Sequence, residues 1–327
     1  MDLYLLFPIA TTTLSFLFFM SVTEQYFRKR GMHQLMWSIA MLLFFLTAGA
    51  EALALGIGKW IPVIYRLYYV LAAIQVPFMG AGVVYLFASR LVINEKNSAI
   101  ASLLHGFPWI LFGLLFLPQS PVFWLILIPA SIWLGVALIY LIFRNKSENI
   151  RQMWETRIDG FMFAHMFIGF CLYVFFLMNI YAWTSPLNLD LLSKGGEISG
   201  LGWELTNGDG RALVRLFSPL QTVPGGIALI GGGFYSYIAW QLNLLRNNVR
   251  DFGKGFFNVL IAGGALILAQ GAFFSGFGFS TLYISETISV TFMYIGFLQS
   301  DKVLKMKFFD AITMKYLWAG SSTSSGD

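Results

Sequence analysis

Charge is what this sequence has least of: Asp, Glu, Lys and Arg together make up 11% of 327 residues, against 57% hydrophobic residues and a mean hydropathy of +0.71. Soluble domains carry about 25% charged residues, so one water-facing globule with a single core is excluded and lipid is required as solvent. Cysteine is nearly absent. The lone Cys171, inside the apolar run FIGFCLYVFFLM, excludes an intrachain disulfide and is read as packing. Histidine is scarce too, with three in the chain and no pair at metal-ligand spacing. No Walker sequence, Gly-x-Ser-x-Gly elbow or His-Glu-x-x-His motif occurs, and the ninth apolar run has no internal lysine for a retinal Schiff base. These absences leave no catalytic residue and no metal site to assign, and they lean away from an enzyme.

What the chain has in plenty is long apolar runs. About 20 residues cross some 30 Å of hydrocarbon as a helix, and nine runs qualify: approximately 3–22, 35–57, 62–88, 99–117, 121–143, 160–183, 212–240, 256–277 and 280–299. The expected fold is therefore all-α, a polytopic integral membrane helix bundle of about nine transmembrane helices. A single transmembrane domain would cover 1–300, followed by a short cytoplasmic tail, 301–327. The basic cluster FRKR follows the first run instead of preceding it, which argues against a cleaved signal peptide.

Basic residues orient the bundle. With the N-terminus outside, sixteen of the twenty-one Lys and Arg fall in the segments 23–34, 89–98, 144–159, 241–255 and beyond 300. The positive-inside rule then expects an N-out, C-in protein of the plasma membrane. The net charge of +5 is thereby absorbed by topology and anionic lipid, not by nucleic acid. The Asn145 sequon falls in a cytoplasmic loop on this reading, so glycosylation is not expected. One long external loop, about 185–211, carries Gly-Gly and Asn-Gly-Asp-Gly turn signals and is a candidate lid over the outer mouth.

Ionisable side chains inside apolar runs cost about 2.5–3.5 kcal/mol near the membrane centre, and they concentrate at interiors and functional sites. Four lie at similar depth near the outer end. Glu51 is roughly 9 Å inside the second run and Arg66 roughly 6 Å inside the third. Arg215 begins the seventh and Glu286 lies early in the ninth. The short second connection makes the second and third runs antiparallel neighbours, so a Glu51–Arg66 bridge is expected, with Arg215–Glu286 as a second pair. Such bridges either lock the helices together or line a vestibule in which the arginines hold a small anionic ligand.

The seventh run, SPLQTVPGGIALIGGG from Ser218, combines Pro219 and Pro224 with five glycines and is expected to bend or break, with Gln221 between the prolines as the side chain of interest. His105 and His165, each about six residues into a helix, are conceivable bis-histidine haem ligands between the fourth and sixth runs. The leading functional expectation is a permease or small-ligand-binding membrane protein with a charged outer-leaflet vestibule. The rivals are a quinone- or haem-binding membrane subunit of a redox complex, and a membrane sensor or scaffold acting through other membrane protein subunits.

Overall fold

The computed structural model describes residues 3–88, 160–204, 213–247 and 253–300, excepting 276 and 278. Among these residues there is no β-strand, only an isolated antiparallel bridge between Leu187 and Trp203. After a 3-10 turn at Leu3–Leu5, the chain forms α1 (Leu6–Lys29), α2 (Met32–Ile57) and α3 (Pro62–Ala88). Then come α4 (Gly160–Thr184), the short α5 (Leu189–Ser193) and a 3-10 turn at Ser199–Gly202. The last stretch holds α6 (Leu213–Gly226), a π-helical turn (Ile227–Gly231), α7 (Gly232–Asn247), α8 (Gly253–Ser275) and α9 (Leu282–Ser300). Four helical stretches are long and apolar enough to cross a membrane: Leu6–Lys29, Met32–Ile57, Pro62–Phe87 and Phe167–Thr184. Shorter apolar helices occupy Val259–Ser275 and Leu282–Leu298. The expected runs at 99–117 and 121–143, and the tail 301–327, lie outside the described residues.

The helix ends follow from local chemistry. Arg30 takes a left-handed conformation (φ 54°) and its N–H returns to Tyr26 O at 2.7 Å, closing α1 after the basic pair Arg28–Lys29, which suits the negative end of the helix. At the start of α2 the Gln34 side chain accepts the Gly31 N–H at 2.9 Å. Gly58, at φ 77°, ends α2, and Pro62 opens α3, where its missing N–H costs nothing. Connections this short make α1, α2 and α3 successive antiparallel neighbours, and each packs along its predecessor.

Polarity is distributed inside out. On α1 the exposed large side chains are Leu6, Ile9, Phe16, Met20 and Phe27, while Thr11, Ser15, Ser21 and Gln25 are buried. Leu42, Leu46, Leu53 and Ile57 form the equivalent exposed stripe on α2, and Ile284, Ile288, Phe292 and Ile295 that of α9. Steps of three, four and seven residues place each set on one helix face. Stripes of that kind fit a hydrocarbon surround, where burial of apolar groups no longer drives helices together and buried hydroxyls do so instead. Thr11 with Thr287 at 2.8 Å and Ser21 with Tyr294 at 3.2 Å bind α1 to α9 in this way.

Two cores result. One gathers α2, α3, α4 and α6 with residues of the 185–204 segment around Tyr65, Phe217 and Trp203. The other joins α1, α2, α3, the π-helical turn, α8 and α9 around Phe44, Met293 and Phe297. Between α3 and α6 the backbones nearly touch. A Cβ built on Gly80 would lie 2.5 Å from Gly225 O, and one on Gly225 would lie 2.6 Å from Val76 O. Only glycine at both positions permits that approach. The seventh run is thus not unwound. Pro219 and Pro224 are accommodated inside α6, and the irregularity takes the form of one π-helical turn, which inserts a residue without exposing unpaired backbone to lipid.

Candidate functional site

Glu51 on α2 and Glu286 on α9 meet at the end of the bundle that carries the 185–204 segment, against Tyr68 of α3 and Tyr283 of α9. Both are shut in, Glu51 with 1% of its surface exposed and Glu286 with 7%. They press against each other, but neither oxygen of Glu51, nor Oε2 of Glu286, has a hydrogen bond of good geometry. Ser289, one turn along α9 from Glu286 and on the same face, is fully buried with its hydroxyl also unpartnered.

The expected arginine partners are elsewhere, and both predicted bridges are corrected. Arg66 does not reach Glu51. Its Nη1 donates to the carbonyls of Ala182 and, at 3.0 Å, Ser185, at the C-terminal end of α4. There the unpaired carbonyls and the helix dipole offer a cation a better-placed acceptor than a carboxylate across the bundle. The same guanidinium lies 5.4 Å from the Trp203 ring centroid and 6.0 Å from that of Trp183, a cation–π arrangement that ties α3 to the end of α4 and to the loop. Arg215 does not pair with Glu286 either; it is half-buried beside Tyr65 and Tyr69 of α3. Among the described residues the one ion pair is Glu24 with Arg28 on α1, at 3.7 Å.

The loop is built into the core. Asn188 accepts the Leu191 N–H at 3.0 Å and so caps α5, and Leu187, Leu192, Ile198 and Trp203 are buried. Trp60, at the α2–α3 turn, donates its indole N–H to Gly196 O at 2.8 Å, and its backbone N–H to Leu192 O at 2.9 Å. Tyr283 donates to the same Gly196 carbonyl at 3.1 Å, while Tyr65 accepts the Gly202 N–H at 3.1 Å. Gly195 and Gly196 turn with φ of 66° and 78°, and a Cβ on Gly195 would strike Gly58 O at 2.6 Å. The loop therefore needs two glycines to pass over the α2–α3 turn.

One side chain close to the acid pair escaped the sequence reading. Glu197 projects from the loop to the N-terminus of α9, where Oε1 accepts the Leu282 N–H at 3.0 Å and Oε2 lies 3.3 Å from the Tyr4 hydroxyl, whose hydrogen is directed to Ser280 O at 2.6 Å. A carboxylate there satisfies an unpaired helix donor and suits the positive end of the dipole. It also lies within electrostatic reach of Glu51 and Glu286. The only sequence signal was its place directly after the Gly195–Gly196 turn. Gln221 is fully buried in α6 with both amide atoms unpartnered. His165 is exposed on α4 with its ring edge-on to Tyr85 at 5.3 Å, and His105 lies outside the described residues.

Among the described residues no group of three or more His, Cys, Asp or Glu could hold a metal ion. Comparison with protein-family models, with curated proteins and with solved structures finds no match.

Proposed function

We propose that this chain is a multi-pass permease of the cell membrane, and that the species it handles at the Glu51–Glu286 site is positively charged. The observation that carries this reading is the meeting of two buried carboxyl groups with no described cation between them. An anion would be repelled there. The two arginines that a vestibule for a small anionic ligand requires are turned to the ends of α4 and α3 instead. Nine spans with the N-terminus outside complete the reading, because the bias of Lys and Arg then puts the acid pair and its covering loop on the outer side. Two further features support movement of cargo. Gly80 and Gly225 let α3 and α6 bear directly on each other, and the π-helical turn below them marks the place where α6 and α7 can change angle.

Purified protein reconstituted in liposomes provides the test. Proton flux, read with an entrapped pH dye, and uptake of sodium, potassium and methylammonium would be compared for the wild type, Glu51→Gln and Glu286→Gln. At least one flux should be present in the wild type and fall tenfold or more in both variants. Equal flux in all three proteins removes the acid pair from the transport path, and the absence of every flux from the wild type refutes the assignment.

A further inference from the structure

We infer that Glu51 and Glu286 form a proton-binding carboxyl pair, with a single proton shared between their facing oxygens under the 185–204 loop. The inference deepens the permease reading and rests on it only for the use to which the proton is put. Its basis is hydrogen-bond accounting. An ionised carboxylate accepts and never donates, so two of them facing each other can satisfy none of their lone pairs mutually. Glu51 Oε1, Glu51 Oε2 and Glu286 Oε2 are all buried without a hydrogen bond of good geometry, the state of two acceptors that face each other. One proton on either residue makes that carboxyl a donor to the other. The pair passes from two negative charges to one, and the repulsion of like charges in a dry interior is relieved.

The surroundings favour a proton over a larger cation. Sodium or calcium needs several oxygens arranged around it, whereas the rings of Tyr68 of α3 and Tyr283 of α9 crowd the pair, with the Tyr68 hydroxyl turned to Glu51 and that of Tyr283 turned away to Gly196 O. The loop carboxylate Glu197 is engaged with Leu282 N–H and lies beside Tyr4. These are the titratable groups that face the pair from α3, α9, the loop and the N-terminal turn. The Tyr68 hydroxyl lies within hydrogen-bonding reach of Glu51 and can give it one hydrogen, which leaves the facing oxygens of the two carboxyl groups without one; the others are held in contacts of their own, and none brings a positive charge.

Difference infrared spectroscopy of the full chain in nanodiscs tests this without any transport step. A band from a protonated carboxylic acid is expected at neutral pH, moving to lower frequency in D2O. It should be lost or displaced in Glu51→Gln and again in Glu286→Gln, and unchanged in Glu204→Gln, a carboxylate on the exposed end of the loop. No such band in the folded wild type, a band unaltered in either of the first two variants, or its removal by sodium at constant pH would overturn the proposal. Should the variants fail to fold, the wild-type band with its deuterium and sodium responses decides the matter alone. A band without flux refutes the permease reading and leaves the proton site standing; flux without the band does the reverse.

Discussion

Consecutive glycines at 225 and 226 call for opposite outcomes on substitution by alanine. A Cβ on Gly225 meets the Val76 carbonyl oxygen and carbon and the Pro77 nitrogen, all at 2.6 Å, whereas one on Gly226 meets nothing within 4 Å. Ordinary contact begins near 3.4 Å, so Gly225→Ala must drive α3 and α6 apart by about 0.8 Å, and they cannot part locally because the obstacle is backbone. A radial gap of 0.5–1 Å forfeits about a quarter to a half of the dispersion well for every atom pair facing it. Overpacking of this kind costs about 1–3 kcal/mol. Gly226→Ala should be neutral or slightly stabilising, because alanine is about 1 kcal/mol the better helix former. Gly80→Ala presses on the same contact from the other side, so the Gly80/Gly225 double variant should lose less than the sum of the singles. Thermal unfolding in detergent, followed by a fluorescent thiol probe on the buried Cys171, would rank the four proteins. If Gly225→Ala unfolds at the same temperature as Gly226→Ala, the close crossing of α3 and α6 is wrong.

Other outcomes follow from single contacts. Replacing Arg66 by glutamine or by lysine should loosen the 185–204 loop, since two carbonyl acceptors and two indole faces lose their planar donor; a charged hydrogen bond is worth about 1.5–3 kcal/mol, less here because the group is half-exposed. Faster amide hydrogen exchange over 186–204 in both variants would bear this out, and rescue by lysine would contradict it. Trp60→Phe should cost about 1 kcal/mol more than Trp203→Phe, because the Trp60 indole N–H is bonded to Gly196 O while that of Trp203 is buried without a partner. Equal losses in chemical unfolding would speak against that difference. Gly195→Ala should raise proteolysis of the loop more than Gly196→Ala, as both have left-handed backbone but only the first collides with Gly58. Greater sensitivity at Gly196 would reverse the assignment.

Helix positions were legible in the sequence because a membrane asks one simple thing of it, an apolar run of sufficient length. The described helices α1, α2, α3 and α4 begin and end within a few residues of the expected runs, apart from the extension of α1 to Lys29. Similar position along the second and ninth runs is why Glu51 and Glu286 were singled out, and the two side chains do meet. Azimuth was not legible. Whether Arg66 faces Glu51 or the end of α4 depends on a rotation about the α3 axis that residue spacing does not constrain, and its actual acceptors are backbone carbonyls, which no letter code displays. Glu197 was hidden for a different reason. A polar residue in a polar loop carries no anomaly until its loop turns inward, and the inward turn rests on the buried aromatics Trp60, Tyr65 and Trp203, whose contacts with the loop no local pattern displays.

Thr11 with Thr287 at 2.8 Å joins α1 to α9, the first and last described helices, and Tyr4 with Ser280 at 2.6 Å joins the residues just before each, both across 276 positions of chain. A growing polypeptide enters the bilayer in order, so α1 must wait beside α2 and α3 with its threonines uncovered until the far end emerges. Glu51 waits with it. The acidic centre has no second carboxyl, and the loop's Glu197 no helix end to hold, until the last segment is inserted. A chain that ends before Leu282 therefore lacks the partners that cover the α1 hydroxyls, the second carboxyl and the helix end that Glu197 caps.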